Sequence, residues 1–201
     1  MNVNRRTQAQ RTAATRTALI SAGRELFGEH GYTAVGTQAI VDAAGVTRGA
    51  LYHHFDDKKG LFTAVFDEVE REVADVCAQA AMALVETDPI GALKAGLRAF
   101  LDFFADARLQ TIGLVDAPAV LGWSDWRARG EEFGFALVEG LIQAAIEAGQ
   151  VAAQPTRPIA HVAIGALDEA TMYVAAASDQ KVATAQVVAV LDAVVDAFVV
   201  H

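Results

Sequence analysis

The sequence has few of the features that mark secreted or membrane proteins, with one cysteine, four prolines and no long uninterrupted apolar run in 201 residues. A single cysteine, Cys77, excludes an intramolecular disulfide. The apolar stretch near the C-terminus is interrupted by Asp192 and Asp196, and it falls short of the roughly 20 residues that a membrane helix needs. The first eighteen residues are polar and basic without an apolar segment, so we expect no export signal. These absences predict a cytoplasmic globular protein without a membrane partner.

Catalytic and metal-binding patterns are also missing. No P-loop or dinucleotide-binding pattern occurs, and "GWSDW" (residues 122–126) has tryptophan where a nucleophile elbow requires glycine. The adjacent His53 and His54 would point about 100° apart on a helix, whereas chelating pairs use i, i+3 or i, i+4 spacing. We therefore predict that the protein is not an enzyme and has no metal site and no cofactor.

The charge is distributed unevenly along the chain, whose net charge is -9. Residues 1–60 carry eight Lys or Arg and five acidic residues, a net charge of +3, whereas residues 61–201 carry eight basic and twenty acidic residues, a net charge of -12. A basic N-terminal part on an acidic remainder favours one module that contacts a polyanion and a second module with another role. The alternative is an asymmetry of solvated charges without function.

Glycine and threonine positions divide the N-terminal part into three helices. An apolar helical face with i, i+3, i+4 spacing ends at Gly31. Thr37 is expected to cap a second helix, "QAIVDAA", which Gly45 ends, and Thr47 to cap a third, "RGALYHHF". Two short helices joined by a tight turn that contains glycine are typical of a helix-turn-helix unit.

The remaining sequence has helical periodicity and no strand-like alternation. One apolar stripe runs from Lys58 to Leu84, and further helical patterns lie at about 90–106, 109–121, 123–149, 157–178 and 182–200. The pattern predicts an all-α protein of about nine helices. We expect a helix-turn-helix DNA-binding domain over residues 1–60, with a flexible basic arm over residues 1–12, and a second helical domain over residues 61–201.

The third helix can be oriented from its apolar residues. Leu51 and Phe55 lie one turn apart and should face the core, so Gly49, Ala50 and His53 should face outward. Without a side chain, Gly49 would let the helix approach a major groove closely, and Ala50 could contact a thymine methyl group.

Long polar side chains flank this outward face. Arg48 has the reach to contact bases, and Tyr52 and His54 are placed for phosphate oxygens on either side. Lys58 and Lys59 begin the next helix, whose first amide groups also favour anions. The segment therefore presents a basic surface, rich in hydrogen-bond donors, to a polyanion.

The segment resembles a known family. Gly31, Tyr32, Thr37, the stretch "AAGVTRGALYHHF" (residues 43–55) and Lys58 are similar to the N-terminal domain of the TetR (tetracycline repressor) family of transcriptional regulators, over about residues 12–66. The resemblance implies phosphate contacts from Thr37, Thr47, Tyr52, His54 and Lys58. It implies base contacts from Arg48, Gly49, Ala50 and His53. Asp56 and Asp57 depart from this picture, because anionic side chains oppose phosphate contact.

Aromatic residues are concentrated in the middle of the C-terminal region. The simplest interpretation is the core of a helical bundle, and for His161 a hydrogen-bonded core position. The TetR resemblance implies an alternative, because that family holds an effector pocket among these helices. The candidate effector-pocket residues are Phe103, Phe104, Trp123, Trp126, Phe133 and His161.

Three functional hypotheses follow from the sequence. The leading one is a transcriptional regulator that binds double-stranded DNA, acts as a repressor on a pseudo-palindromic operator and is released by a small apolar or aromatic effector. Its last two helices, rich in Ala, Val and Gly, would form a homodimer. The alternatives are a helical carrier of apolar small molecules with a vestigial DNA-binding domain and, less well supported, an enzyme.

Overall fold

A computed structural model of the chain describes residues 8–200, and within this range it contains nine helices and no β-strand. The first five helices are separated by short turns. They are α1 (Gln8–His30), α2 (Thr37–Ala44), α3 (Arg48–His54), α4 (Lys58–Met82) and α5 (Pro89–Phe103).

The next two helices are each built from three consecutive segments, of which the middle one is π-helical. Helix α6, residues 107–121, consists of Ala107–Gln110, the π segment Thr111–Asp116 and Ala117–Leu121. Helix α7, residues 123–147, consists of Trp123–Gly130, the π segment Glu131–Phe135 and Ala136–Glu147. The π segment of α6 ends two residues before Pro118, which has no amide hydrogen to continue the α-helical pattern. The chain ends with α8 (Thr156–Ala176) and α9 (Gln180–Asp196).

Local sequence signals explain the three N-terminal helices. Gly31 and Gly45 adopt positive φ angles of 77° and 64° at the ends of α1 and α2, a conformation that glycine adopts without a steric penalty. The hydroxyl oxygen of Thr47 accepts a hydrogen bond from the amide of Ala50 at 3.2 Å, so the predicted cap of α3 is confirmed. The predicted cap of α2 is wrong. Gly36 occupies the cap position without a side-chain bond, and Thr37 is the first helical residue.

The buried apolar residues form two clusters. The first joins α1, α2, α3 and the first five turns of α4 to α6, with Phe27, Phe62 and Phe66 at its centre. The second joins α5, the end of α7, α8 and α9. Helix α4 contributes Cys77 to the first cluster and Ala81 to the second. It is therefore packed against both halves of the molecule.

The sequence predicts an N-terminal arm over residues 1–12 and a domain boundary at residue 60. The predicted arm over residues 1–12 is wrong for residues 8–12, which form the first turns of α1, and residues 1–7 lie outside the described residues. The predicted domain boundary at residue 60 stays a prediction. The first apolar cluster continues beyond that residue, through α4 and into α6.

Candidate functional site

Helix α3 has the orientation that its sequence predicts. Leu51 is fully buried and Phe55 is 8% exposed, both in the first apolar cluster. On the opposite side, Arg48, Gly49 and His53 are exposed, and Ala50 is partly exposed. The name "α3 surface" is used below for the four residues Arg48, Gly49, Ala50 and His53.

Gly49 is not required by the packing of the protein. A Cβ atom at this position would meet no atom closer than the Thr47 hydroxyl oxygen, at 3.9 Å. The residue is helical, so its backbone conformation does not require glycine either. A glycine that lowers helix propensity without a packing reason favours a close approach by something outside the protein.

Arg48, Tyr52 and Thr37 form a small polar group beside the α3 surface. The Arg48 guanidinium donates to the Tyr52 hydroxyl at 3.4 Å and lies 5.7 Å from the centre of its ring. The hydrogen bond from Arg48 is the main cause that lowers the pKa of Tyr52, and a hydrogen bond with Thr37 contributes. The group joins α2 to α3 at the exposed side of the turn.

His54 lies at the edge of the same region and is partly buried. Burial lowers the pKa of its imidazole, and the charges of His53 and Arg16 lower it further. A lowered pKa leaves the ring neutral at pH 7. His54 could therefore contact a phosphate as a neutral hydrogen-bond donor.

The ammonium group of Lys58 is already engaged within the protein. It donates to the carbonyl oxygens of Tyr32 and Val35, both at 2.9 Å, and lies 4.1 Å from the centre of the Tyr32 ring. These bonds fasten the start of α4 to the turn between α1 and α2. An ammonium has three donors, so only one remains for a phosphate. The phosphate contact implied for Lys58 stays a prediction, to which the structure adds a role in packing.

Of the two aspartates that depart from the family pattern, Asp57 has a structural role and Asp56 has none that the structure shows. The carboxylate of Asp57 accepts from the Gly60 amide at 2.7 Å and caps α4. Its negative charge at a helix N-terminus is favourable. Nothing in the structure explains Asp56, which is exposed.

A cavity of about 90 Å³ lies between α4, α5, α6, α7 and α8. Most of its surface is apolar. Cavity A, as it is called here, is lined mainly by Val73, Cys77, Leu93, Leu97, Phe100, Leu114, Trp126, Leu137, Leu141, Ile164 and Leu167, together with Glu70, Arg127 and Asp168.

The polar side chains of cavity A are concentrated on α4, α7 and α8. Arg127 on α7 donates to the Asp168 carboxylate on α8 at 2.9 Å. Burial raises the pKa of Glu70 to about 8, and the charges of Asp168 and Asp67 add to this effect. Burial also raises the pKa of Asp168 to about 6, against the opposing effect of Arg127. The pKa of the Cys77 thiol is raised to about 12, so this cysteine is a protonated, apolar side chain.

The aromatic residues predicted to line an effector pocket mostly lie elsewhere. Among the six, only Trp126 lines cavity A. Phe104 fills the first apolar cluster and Phe103 packs against that cluster, while Trp123 is 65% exposed. Their aromatic surface supports the protein core or faces solvent, so these three do not line cavity A, and their role in effector binding stays a prediction.

The other two candidates lie at the surface of α7 and α8. Phe133 makes a cation–π contact with Arg71, whose guanidinium lies 5.3 Å from the centre of the Phe133 ring. His161 is exposed, its ring centre lies 4.6 Å from that of Phe135, and its imidazole is 3.5 Å from Glu131. The buried core position expected for His161 is therefore wrong, whereas the effector-pocket role of Phe133 and His161 stays a prediction.

A second cavity, cavity B, has a volume of about 240 Å³ and an almost wholly apolar lining. It lies between α5, the end of α7, α8 and α9. Leu93 and Leu97 line both cavities and separate them. The exposed residues Val162, Val194 and Phe198 also border cavity B, so it adjoins the outer surface of α8 and α9.

Helix α6 connects cavity A to the helix-turn-helix unit. Leu114 lines the cavity, and the indole nitrogen of the cavity residue Trp126 donates to the Gly113 carbonyl at 3.0 Å. Three residues after Gly113, the Asp116 carboxylate accepts a hydrogen bond from the Tyr32 amide in the turn between α1 and α2, at 2.6 Å. The π segment Thr111–Asp116 therefore contacts the cavity at one point and the turn before α2 at another.

Metal sites and membrane-spanning helices have no candidate in the part of the chain that the structure describes. No group of three or more His, Cys, Asp or Glu residues between positions 8 and 200 is arranged to hold a metal ion. None of the described helices is both long and apolar enough to cross a membrane.

Two family models match the chain in succession. The model described as "Bacterial regulatory proteins, tetR family" matches residues 19–65, which contain α2 and α3. The model described as "Tetracyclin repressor-like, C-terminal domain" matches residues 90–198, which is more than half of the chain. The two regions together include the α3 surface and most of the lining of cavity A.

Individual proteins are similar over different lengths. The Transposon Tn10 TetC protein of Escherichia coli is 27% identical over 150 residues, which are 75% of this chain and 75% of that protein. The HTH-type transcriptional repressor BepR of Brucella suis is 35% identical over 109 residues, 54% of this chain and 51% of the repressor.

A solved structure is similar over almost the whole chain. The crystal structure of a TetR-family transcriptional regulator from Pectobacterium atrosepticum is 32% identical, covers 98% of this chain and 99% of its own, and has a TM-score of 0.81. This similarity confirms the all-α fold class predicted from the sequence.

Proposed function

Because the chain belongs to the TetR family of transcriptional regulators, we propose that it is a repressor that binds a pseudo-palindromic operator as a homodimer and is released by a small molecule. Its relatives are named as transcriptional repressors and regulators, so it is a DNA-binding transcriptional regulator and the expectation that it is not an enzyme is confirmed. The cytoplasmic location expected from the sequence is part of the proposal, since the protein needs access to DNA.

The observation that carries the proposal is the exposed, glycine-containing face of α3. Gly49 exposes the helix backbone at a position where no neighbouring protein atom would exclude a side chain. Arg48 and His53 are exposed on the same helix and carry hydrogen-bond donors that can reach base edges. Tyr52, His54, Thr37 and Thr47 surround this face and are proposed to contact phosphates. The hydroxyl of Thr47 accepts the capping bond, so its own hydrogen stays available for a phosphate oxygen.

We propose that the homodimer forms through α8 and α9. Eight of the thirteen large apolar residues that are exposed among the described residues lie between positions 162 and 200. On α9, Val190 and Val194 are 62% and 49% exposed and lie one turn apart. A concentration of exposed apolar residues of this kind is unusual on a monomer and typical of an interface. The twofold axis would place two α3 helices about one DNA turn, roughly 34 to 36 Å, or a multiple of it apart.

We further propose that cavity A binds the effector and that α4 and α6 transmit its effect. Helix α4 begins at the helix-turn-helix unit and lines the cavity with Glu70, Val73 and Cys77. Helix α6 reaches the same unit through the Asp116 bond to Tyr32. A ligand that binds one arrangement of these helices more tightly would shift the spacing of the paired α3 helices and lower operator affinity, by the usual ~1 to 3 kcal/mol of coupling.

Selection of genomic fragments by the purified chain tests the proposal against the carrier alternative. A regulator should select a discrete pseudo-palindromic fragment, with an affinity that falls steeply as salt rises because phosphate contacts release counterions. A carrier with a vestigial DNA-binding domain should bind apolar compounds and select no fragment. Weak binding of all fragments alike would contradict the regulator proposal.

A further inference from the structure

We infer that the ligand of cavity A is an organic monocation, an apolar body that carries one protonated amine or quaternary ammonium group and places it beside Glu70 and Asp168. The inference rests on the proposed function in taking cavity A as the effector site. It adds the chemical class of the effector, for which the family resemblance gives no direction.

Glu70 is the first observation behind this inference. Its side chain lines cavity A from the middle of α4, among the apolar residues Val73, Ala74 and Leu137. Within residues 8–200 this half-buried side chain makes no hydrogen bond and no ion pair, although a carboxyl withdrawn from bulk water normally has a partner. A carboxyl held without a partner at the surface of an otherwise apolar cavity is available to a ligand.

The second observation is that the charged side chains near Glu70 form ion pairs with one another, which leaves Glu70 without a partner. Arg127 is bound to Asp168 at 2.9 Å, and its guanidinium also lies 5.2 and 5.0 Å from the ring centres of Trp123 and Trp126. On the other side of Glu70, Asp67 is bound to Arg129 at 2.5 Å. Helices α5 and α6 contribute no charged group to the lining. The two guanidinium groups are therefore each matched by a carboxylate, and Glu70 is the unmatched acid.

The electrostatic balance at Glu70 has the sign that attracts a cation. Asp168 and Asp67 each raise the pKa of Glu70 more than Arg127 lowers it. The net potential at the carboxyl is thus negative, and the same potential lowers the free energy of a positive ligand group and raises that of an anion. Arg127 does not reverse this preference, since Asp168 compensates it.

The rest of the lining determines the ligand body. Leu93, Leu97, Phe100 and Leu141 also line the cavity and present no hydrogen-bonding side chain. A hydrated inorganic cation would lose its water there without replacement ligands. An amine on an alkyl or aryl body can instead bury its hydrocarbon in this region while its charge reaches the carboxyl. Cavity B has no comparable polar group, so nothing in its lining selects a charged ligand.

The test uses four probes with the same aryl-alkyl body and different end groups. They are 4-phenylbutylamine, 4-phenylbutyltrimethylammonium, 4-phenylbutan-1-ol and 4-phenylbutyrate. Their binding to the full chain is measured by isothermal titration calorimetry at pH 8.5, without DNA. We expect both cations to bind at least about tenfold more tightly than the alcohol, a difference of ~1.4 kcal/mol, and the carboxylate to bind most weakly.

Two glutamine variants locate the charge that is responsible. Glu70→Gln keeps the shape of the side chain and should remove the preference for the cations over the alcohol. Glu68→Gln is the matched control, because Glu68 lies on the same helix, makes no hydrogen bond or ion pair among the described residues and does not line cavity A. In the unmodified chain and in the control, amine affinity should rise from pH 6 to pH 9 as Glu70 becomes ionised, whereas in Glu70→Gln it should not.

Several results would overturn the inference. They are an alcohol that binds as tightly as the amine, a preference for the carboxylate, no measurable binding of either cation at millimolar concentration, or a cation preference that survives Glu70→Gln. Operator affinity with and without the amine is measured separately. Tight, Glu70-dependent amine binding that leaves operator affinity unchanged would support the cation site and contradict its proposed role as effector site. Failure of the cations in a chain that still selects an operator would contradict only the inference.

Discussion

The α3 surface and cavity A differ in how the sequence builds them. The α3 surface consists of residues within one helix of seven residues, whereas cavity A collects side chains from α4, α5, α6, α7 and α8. Which face of α3 points outward follows from the position of Leu51 and Phe55 alone. Which side chains meet in cavity A depends on how five helices pack. A functional surface on one helix can therefore be identified from its sequence, while a cavity between helices requires the tertiary structure.

The largest expected effect tests the α3 surface. Arg48→Ala should change which operator sequences are preferred, at a cost of ~1 to 3 kcal/mol for the best site, because Arg48 is proposed to reach base edges. Lys59→Ala, at the start of α4, should weaken the binding of all DNA sequences alike. Competition binding with operator mutants measures both. Lys58→Ala does not separate these roles, since it would also leave the Tyr32 and Val35 carbonyls without their donor. A change of preference in Lys59→Ala and none in Arg48→Ala would exchange the assigned roles.

The next effect tests whether Glu70 is a half-buried acid without a partner. Burial raises its pKa in the folded state to about 8, above the usual value of 4.5. The folded state thus keeps a proton that the unfolded chain loses, and the stability this provides is present below about pH 4.5 and is lost as the pH rises through 8.

Glu70→Gln should therefore unfold at higher urea concentration than the unmodified chain at pH 9, by ~2 kcal/mol in the free energy of unfolding, with little difference near pH 4.5. Glu68→Gln should show no such pH-dependent gain. Equal stability of Glu70→Gln and the unmodified chain at all pH values would show that Glu70 is solvated or paired in solution.

A smaller effect sharpens the role of Gly49. Gly49→Ala should lower operator affinity about tenfold, ~1.4 kcal/mol, because the methyl group would stand between the helix and the groove. The same change should leave the protein as stable or slightly more stable, since alanine favours a helix and meets no protein atom closer than 3.9 Å. Ala39→Gly is the control: it makes the reverse substitution at an exposed position of α2, outside the α3 surface. Undiminished operator affinity in Gly49→Ala would mean that the α3 backbone does not approach DNA closely.

The smallest effect concerns the connection between the two regions. Asp116→Asn should weaken the charge-assisted bond to the Tyr32 amide and reduce effector coupling about threefold, within the ~0.5 to 2 kcal/mol that such mutations change. The quantity to measure is the ratio of operator affinities with and without 4-phenylbutylamine. Asp102→Asn is the control, because Asp102 is an exposed aspartate on α5 whose side chain makes no hydrogen bond or ion pair among the described residues. An unchanged ratio in Asp116→Asn would leave α4 as the proposed route.

The outcome of the sequence predictions follows the same division between local and tertiary features. Helix number, the glycine stops at Gly31 and Gly45 and the Thr47 cap depend on neighbouring residues, and the sequence predicted them correctly. The prediction that Thr37 caps α2 is wrong because the helix begins one residue earlier than expected: Gly36 is the cap residue and Thr37 is the first residue of the helix. Five of the six candidate pocket residues do not line cavity A, because large rings also fill the protein core, as Phe104 does. From the sequence, no role is predicted for individual acidic residues after position 60, so Glu70 and Asp168 are not identified.

One signal in the sequence could have identified Glu70. It lies on the apolar stripe of α4, one residue after the buried Val69 and three before the buried Val73. An acid that borders such a stripe is a candidate for burial. The sequence could not show which charges it would meet, because Arg127 and Asp168 come from α7 and α8.

The most direct test of the central claim, that paired α3 helices read successive major grooves, is hydroxyl-radical footprinting combined with methylation interference on the selected operator. The account predicts two protected segments related by a twofold axis, with centres one helical turn of DNA or a multiple of it apart, and interference at guanine N7 in the major groove of each segment. A single protected segment, or interference confined to the minor groove, would contradict it.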